Sequence, residues 1–473
     1  MNWFELPLKT VRMPRPLFGL IVMPLLAACA TYHAAPLPGR DALASPAPLD
    51  LPRLRVAAAE LHHPLLAPIT LDLAHGLDPD QAAVLAVLLN PQLRAERDAH
   101  GEAEAQLVVA GLLRNPDFSF EATHPSSSDP TPLVNTLAAS VAFDLQSLRT
   151  RGAKRAAAQA ELAQVDLGIA WHEWAVAQDA RLLTVRLAWL RRRLDIVRTE
   201  LTFQKETETF LERAVAAGDA TLPQLGVQRA SLETVRREAN GLEQAQSESE
   251  NILLALLGRP AGLRLDVAPV TATTAGAPVA QAAAPDMAAC LDHRLDLDAL
   301  RRGYDAQEAR VRLAVLEQFP ALTIGISRQR NESSVRFLGG FVSLALPIFD
   351  SGRAGVALAD ATRTRLRHEF DARAAAARDE IAGTGAMIAL LERQIPTVRA
   401  SLAPLASIEE RERAAAARGD VDRLSYQTVR SSLLDQRLQD AALSQALAEA
   451  HVALDAACPG AVHAAATKGG SAQ

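Results

Sequence analysis

The side chains best placed to do chemistry in this chain of 473 residues are few. Three cysteines stand at positions 29, 290 and 458, none in a CxxC or Cys/His spacing able to chelate zinc. The eleven histidines are scattered. The adjacent pair His62-His63 would need an irregular backbone to converge on one ion, so the histidines read as solvated surface groups, and no metal or cofactor is expected. Acidic neighbours such as Glu409-Glu410 sit in a charged helical stretch, where a solvated face accounts for them. The sequence contains no GxSxG, HExxH, P-loop or glycine-rich turn after a strand, which leaves an enzyme no nucleophile, metal base or phosphate cradle. A formal charge of −6, with pI near 6.0 and no basic-aromatic stripe, removes nucleic acid as a partner. What remains is one thiol near the N-terminus and two Gly-Asp pairs, Gly218-Asp219 and Gly419-Asp420.

The thiol has an address written before it. Lys9, Arg12 and Arg15 precede an apolar run from Leu17 to Leu26, and small residues follow, the order of an export signal. The run is about ten residues, short of the roughly 20 that cross a bilayer as a helix. Leu26-Ala27-Ala28-Cys29 resembles a bacterial lipobox, which implies a signal peptide over 1–28, cleavage before Cys29, and acyl chains such as palmitate on its sulfur and new amino terminus. An incidental cysteine in an ordinary signal peptide is the simpler reading; the small-small-Cys triplet directly ending the apolar run favours the lipid. Ala30 stands where an Asp would signal inner-membrane retention, so outer-membrane lipid is the expected anchor. Residues 29–75 then form an extended, lipidated segment. No other stretch is apolar for 18 residues, so any further membrane crossing must use strands.

The elements that position the two Gly-Asp pairs are written twice. Pro116 in AGLLRNPDFSFEA answers Pro320 in AVLEQFPALTIGI at an offset of 204, and Gly218 answers Gly419 at an offset of 201. The copies are expected over 76–265 and 289–457, with a Pro/Ala-rich linker at 266–288 and a tail at 458–473. Each opens with a helix (Pro79–Leu113; Leu297–Glu317) that ends before a proline. Two strand-like segments follow: Phe118–Ala122 and Leu137–Leu145 in the first copy, Leu322–Arg328 and Phe337–Ile348 in the second. Val342, Leu344 and Leu346 fall on one face there, and Phe341, Ser343 and Ala345 on the other. Long helical tracts then run over Gly152–Ala217 and Gly352–Arg418, each extending about 100 Å at the helical rise. Each stops at a glycine suited to left-handed backbone. On the returns, Leu225, Leu232, Val235, Ala239 and Leu242, and likewise Leu424, Ser431, Leu434, Leu438 and Ala441, keep coiled-coil spacing. Pro396 and Pro404 should kink the second tract; two helices broken by a loop is the alternative.

The fold class expected is therefore mainly α with a small β part, in two tandem repeats, each a long α-helical hairpin plus a β-hairpin. Four strands cannot close a barrel, and open edges in lipid leave backbone groups unpaired at several kcal/mol each. Three chains would supply twelve strands, an even number in the range of bacterial barrels.

NPQL in the opening helix, RNPDF and QFPALTI at the strand starts, LALPIFDSGR running into a long helix, and the glycines at 218 and 419 together resemble the TolC-like outer-membrane efflux factor family, over about residues 76 to 457. The resemblance implies a homotrimer with a transmembrane β-barrel, a periplasmic α-barrel and an equatorial region between them. It implies export driven by an inner-membrane transporter through a periplasmic adaptor protein. It places adaptor docking on the hairpin tips Ala217-Gly218-Asp219 and Arg418-Gly419-Asp420, with an Asp where the family often has an apolar or hydroxyl residue. Ser425 and Thr428 occupy the slots where some members carry an acidic constriction, so that gate is not carried over. Asp420 and Asp422 lie closer to the turn, where a trimer could form a like-charge entrance ring; a solvated tip is the simpler account. The family fold brings Cys290 and Cys458 both to the equatorial region, where the periplasm permits a disulfide. A lipid-anchored periplasmic adaptor or a coiled-coil scaffold shares the anchor and the helices, but an adaptor carries one hairpin between β-rich halves and a scaffold needs no alternating strands.

Overall fold

The computed structural model describes residues 31–41, 48–124, 126, 134–261, 263, 266–269, 286–421 and 423–459. The leader at 1–28, Cys29, linker residues 270–285, Asp422 and the tail from 460 lie outside the described residues. The chain divides into two compact units after Ala47. In the first, residues 31–41 are exposed, with helical backbone only at Arg40 and Asp41. The second holds all the long elements.

That unit opens with α1 (Leu51–Ala59), α2 (Pro79–Leu89) and α3 (Pro91–Gly111), then β1 (Asp117–Thr123) and β2 (Thr136–Asp144). The hairpin of α4 (Leu145–Ala217) and α5 (Leu222–Leu256) follows. After α6 (Met287–Asp292) the same order returns as α7 (Leu295–Glu317), β3 (Leu322–Arg330), β4 (Arg336–Leu344), α8 (Arg353–Arg418) and α9 (Arg423–Ala457). The 73 residues of α4 and 66 of α8 extend about 110 and 100 Å at 1.5 Å per residue. Among the described residues no helix is long and apolar enough to cross a membrane.

Three local expectations and one alternative are corrected. The single helix over Pro79–Leu113 is two, because Pro91 disfavours helical backbone at Asn90. Asn90 instead caps α3, its Oδ1 accepting from the backbone N–H of Gln92 at 2.8 Å and of Leu93 at 3.1 Å. The strand expected to reach Ile348 ends at Leu344, short of Pro347, which has no N–H for a ladder. Neither Pro396 nor Pro404 breaks α8, so the loop alternative falls; Ile388, Leu391 and Ile395, buried just before the first proline, hold that stretch by packing. The seam on α5 buries Leu225, Leu232, Ala239 and Leu242, but on α9 the buried line runs through Tyr426, Leu433 and Ala441, with Leu434 and Leu438 only half-buried. The side chain of Leu424 lies outside those described.

The main core lies where α1 and α2 meet the middle of α4 and the end of α5. Residues 82–87 of α2 are all buried, so this short helix is apolar on every side, as an enclosed helix must be. Leu54, Leu77, Leu85, Leu187, Leu253 and Leu257 form the centre of the cluster. His63, expected at the surface, is drawn into the neighbourhood of α4: its side chain is 2% exposed. Its Nε2 lies 3.0 Å from the carbonyl of Ala170, and its Nδ1 accepts the N–H of Leu65 and Leu66. That arrangement requires the neutral ring, and burial lowers its pKa below the ordinary 6.5.

The strands form one antiparallel sheet in the order β1-β2-β3-β4. The pairing of β2 with β3, from Leu137 opposite Arg330 to Asp144 opposite Thr323, joins the two halves of the chain. Gly325 lies opposite Phe341, and a Cβ there would overlap the phenyl ring and sit 2.6 Å from the carbonyl of Val141. The glycine thus makes room for the aromatic across the pair.

Candidate functional site

The two hairpin tips are closed by the same backbone device. Gly218 and Gly419 take φ of 84° and 82°, left-handed values that L side chains rarely adopt. The N–H of Asp219 then returns to the carbonyl of Ala214 at 2.8 Å, and that of Asp420 to Ala415 at 3.0 Å. A Cβ at either glycine meets nothing within 4 Å, so the tips are open and only backbone strain resists substitution.

Their surroundings differ. After the first tip, Thr221 and Gln224 form a capping box that starts α5, and Leu222 beside it is 72% exposed, with Val227 also in the open. At the second, Arg418 Nε donates to the Asp420 carboxylate at 2.8 Å. The Asp420 of the proposed entrance ring therefore carries its own counterion within the chain, which weakens the like-charge field a ring would need. Leu222 and Val227 were not singled out from the sequence; the available signal was a leucine ahead of Pro223, where an exposed turn needs no apolar residue.

Above the tips a buried polar network ties the first hairpin to the second. Glu200 on α4 is 3% exposed and accepts from Arg430 Nε of α9 at 2.8 Å and from Gln204 Nε2 at 2.8 Å. Gln228 of α5 and Gln427 of α9 both donate to the Gln204 side chain, at 2.8 and 3.1 Å. Tyr426 donates to Glu409 of α8 at 2.8 Å, and the Arg430 guanidinium lies 3.8 Å from the centre of the Phe203 ring. Burial pushes the Tyr426 hydroxyl pKa up, the bond to Glu409 reinforcing it. For Arg430, burial works downward but the bonds to Tyr426 and Glu200 outweigh it. No spacing rule reveals this network, because its members are up to 230 positions apart.

A second node sits at the opposite end of α9. Cys290 and Cys458 are joined in a disulfide with Cα atoms 4.6 Å apart, inside the span such a bridge requires. Beside it Arg294, 1% exposed, donates to both oxygens of Asp296, to Glu380 at 2.9 Å and to the carbonyl of Ala457 at 3.1 Å. Its guanidinium also lies 4.8 Å from the Trp171 ring centre. Burial works to raise the Asp296 carboxyl, but Arg294 and Arg373 hold it below the ordinary carboxylate range.

The sheet presents two unlike faces. The register puts Phe118 and Phe120 of β1, Val141 of β2, Ile326 of β3 and Leu338 and Val342 of β4 on one side, all exposed. The other side carries Asp117, Ser119, Glu121, Ser140, Ser327 and Gln329, with Phe337 and Phe341 on β4; Ser119 and Ser140 hydrogen-bond across it at 2.8 Å. Below β4 the exposed apolar residues continue through Leu346, Ile348 and Phe349.

Residues 288–459 match the family described as outer membrane efflux protein. No curated protein matches the chain in sequence. Solved structures match in fold. CusC, described through its folding and transmembrane channel formation, aligns with a TM-score of 0.66 at 19% identity over 85% of this chain and 97% of that one. A membrane protein from Pseudomonas aeruginosa aligns at 0.68 and 18%, over 85% and 99%. The outer membrane protein VceC from Vibrio cholerae aligns at 0.65 and 20%, over 80% and 95%. The family match is seated on the second run of elements, and the fold shared with these structures extends over both.

Proposed function

We propose that the chain is the passive outer-membrane channel of a tripartite efflux or secretion system, exporting small molecules or ions that an inner-membrane pump delivers through a periplasmic adaptor. The observation that carries this reading is the sheet: one exposed apolar face, one face that carries all the strand carboxylates, and outer edges on β1 and β4 without a partner among the described residues. A bilayer tolerates strands only in a closed barrel. Three copies supply twelve strands, apolar outward against lipid and polar inward along a water-filled lumen. The helices of about 100 Å leave the sheet from one end only and, in threefold assembly, form the periplasmic conduit. The work is conduction, with no catalytic step.

Acylation of Cys29 anchors the N-terminal segment in the outer membrane. The adaptor docks on the tips at Ala217-Gly218-Asp219 and Arg418-Gly419-Asp420; the apolar surface of Leu222 and Val227 beside the first supports this, since it is left uncovered in the chain. Asp420 and Asp422 form at most a partly neutralised entrance ring, given the Arg418 pair. Replacing Gly218 and Gly419 together by bulky residues should abolish export while trimers persist; surviving export would remove the docking assignment. The function as a whole is tested by detergent extraction followed by unheated gel electrophoresis and planar-bilayer recording. Heat-resistant trimers and discrete conductance are expected, and a compact, water-soluble monomer would overturn the reading.

A further inference from the structure

The charges on the sheet are segregated in a way that lining a pore does not explain. On the face assigned to lipid, charged side chains occur only at the end away from the helices: Arg328 and Arg330 on β3 and Arg336 on β4. Strand alternation puts Arg328 and Arg330 on one side, and Arg330 is the direct Cα partner of Arg336. Like charges directly opposite each other destabilise a strand pair, and arginine on a lipid-facing strand is tolerated only near the membrane interface. Among the described residues the one hydrogen bond of Arg330 goes to a backbone carbonyl rather than to a carboxylate. Its Nη2 donates to the carbonyl of Asn135 at 3.1 Å, while its Nε is buried without a hydrogen-bond partner. Arg328 and Arg336 are exposed. The acids of the strands, Asp117, Glu121 and Asp144, are on the other face, and Glu332 in the turn between β3 and β4 is exposed and bonds through its backbone carbonyl to the N–H of Val134. Three guanidiniums, one with an unsatisfied donor, therefore sit at the outer rim of an apolar wall.

We propose that Arg328, Arg330 and Arg336 bind the phosphate groups of outer-leaflet lipid headgroups, so that each protomer carries a site for a phosphorylated lipid whose acyl chains lie on Phe120, Leu338 and their neighbours. Guanidinium forks match phosphate oxygens in two-pronged geometry, which a diffuse attraction to a charged surface does not exploit. The apolar face directly below supplies the contact that free phosphate lacks. Neutralising the Arg330–Arg336 pair would also fix the register of β3 on β4 at the membrane surface. The inference rests on the sheet being the wall of a transmembrane barrel.

The test uses the purified full-length trimer in detergent, titrated with bisphosphorylated lipid A and with its dephosphorylated form, and read by native mass spectrometry. Wild-type protein should prefer the phosphorylated lipid, and the triple variant R328Q/R330Q/R336Q should lose on the order of a hundredfold in that preference, near-surface arginines each contributing roughly a factor of five. The single variant Arg328→Gln, at an exposed position, should lose about fivefold and covers the case in which the triple variant does not assemble. Millimolar inorganic phosphate should not displace the lipid. Equal binding of the two lipids, an unchanged preference in the variants, or full displacement by inorganic phosphate would each overturn the proposal. Conductance in zwitterionic bilayers separates the two levels: wild-type channels that insert but show no lipid preference refute the arginine site alone, whereas failure to insert at all refutes the channel.

Discussion

The two long helices are near equals in length and opposites in how they are held. Helix α4 packs against α2, α3, α5, α7 and α9, and its buried residues run from Thr150 to Leu211. Helix α8 buries only Ala377, Ile381, Ile388, Leu391 and Ile395, all within its middle third, and carries both prolines. Helix α4 is an axis enclosed by five other helices of its own chain, whereas α8 packs on α9, α7 and the short α6 and leaves most of its side chains exposed. That packing is reinforced by the disulfide beside Ile381, the Arg294–Glu380 and Arg373–Asp296 pairs, and the bond from Tyr426 to Glu409. The lesson is that equal elements in a doubled order need not share a role: one builds the protomer, and the exposed length of the other is surface that the proposed trimer would cover.

That contrast can be broken at its fastenings. The disulfide closes a span of 168 residues, for which chain-entropy arguments give roughly 5 kcal/mol. In the paired variant Cys290→Ser with Cys458→Ser, hydrogen exchange should rise along α8 and α9 and stay low in the middle of α4; a uniform rise would show that the two helices are held as one. Removing Arg430 leaves Glu200 buried without its counterion, a loss of about 3 to 5 kcal/mol. Arg430→Ala should therefore lower the unfolding midpoint far more than the double change with Glu200→Gln, and equal effects would mean the pair is not coupled.

The packing side of the contrast is sharpened by two leucines. Leu187 on α4 is 0% exposed and Leu358 on α8 is 71% exposed. Leu187→Ala should cost about 2 to 5 kcal/mol in chemical denaturation. Leu358→Ala should cost less than about 0.5 kcal/mol in the separated chain but weaken the trimer, because that surface is free until copies meet. The smallest expected effect is a pH dependence at α4. His63 has its pKa lowered chiefly by burial, so the unfolded chain takes up a proton first as pH drops. The His63 contribution is whole above about 6.5, the unfolded value, and is lost as pH falls from there through the folded value. Thermal melts of His63→Gln, which cannot titrate, should show a flatter profile between pH 7.5 and 5.5; an unchanged slope would place the effect elsewhere.

The sequence was most legible where a few neighbouring residues decide the outcome. The left-handed stops at Gly218 and Gly419, the strand openings after Pro116 and Pro320, and the alternation along β4 all follow from backbone sterics and side-chain period over a handful of positions. Asn90-Pro91 carried the same kind of signal, an amide ahead of a proline, and was passed over because the apolar pattern ran through it. At Pro396 and Pro404 the local penalty was outweighed by packing against α9, so the helix runs through both.

By itself, then, the sequence determined the kinds of element, their order and the glycine-marked turns, because helices and turns are settled by groups within a few residues of one another. Only the tertiary structure decided which polar groups are buried together, as with Glu200 and Arg430, 230 positions apart. It alone decided that His63 is enclosed, that Asp420 is neutralised by Arg418, and that three arginines share the apolar face of the sheet. The physical reason is register and docking: a strand shifted by one residue exchanges its faces, and a helix rotated by a fraction of a turn exchanges its partners, and neither choice is recorded in local spacing.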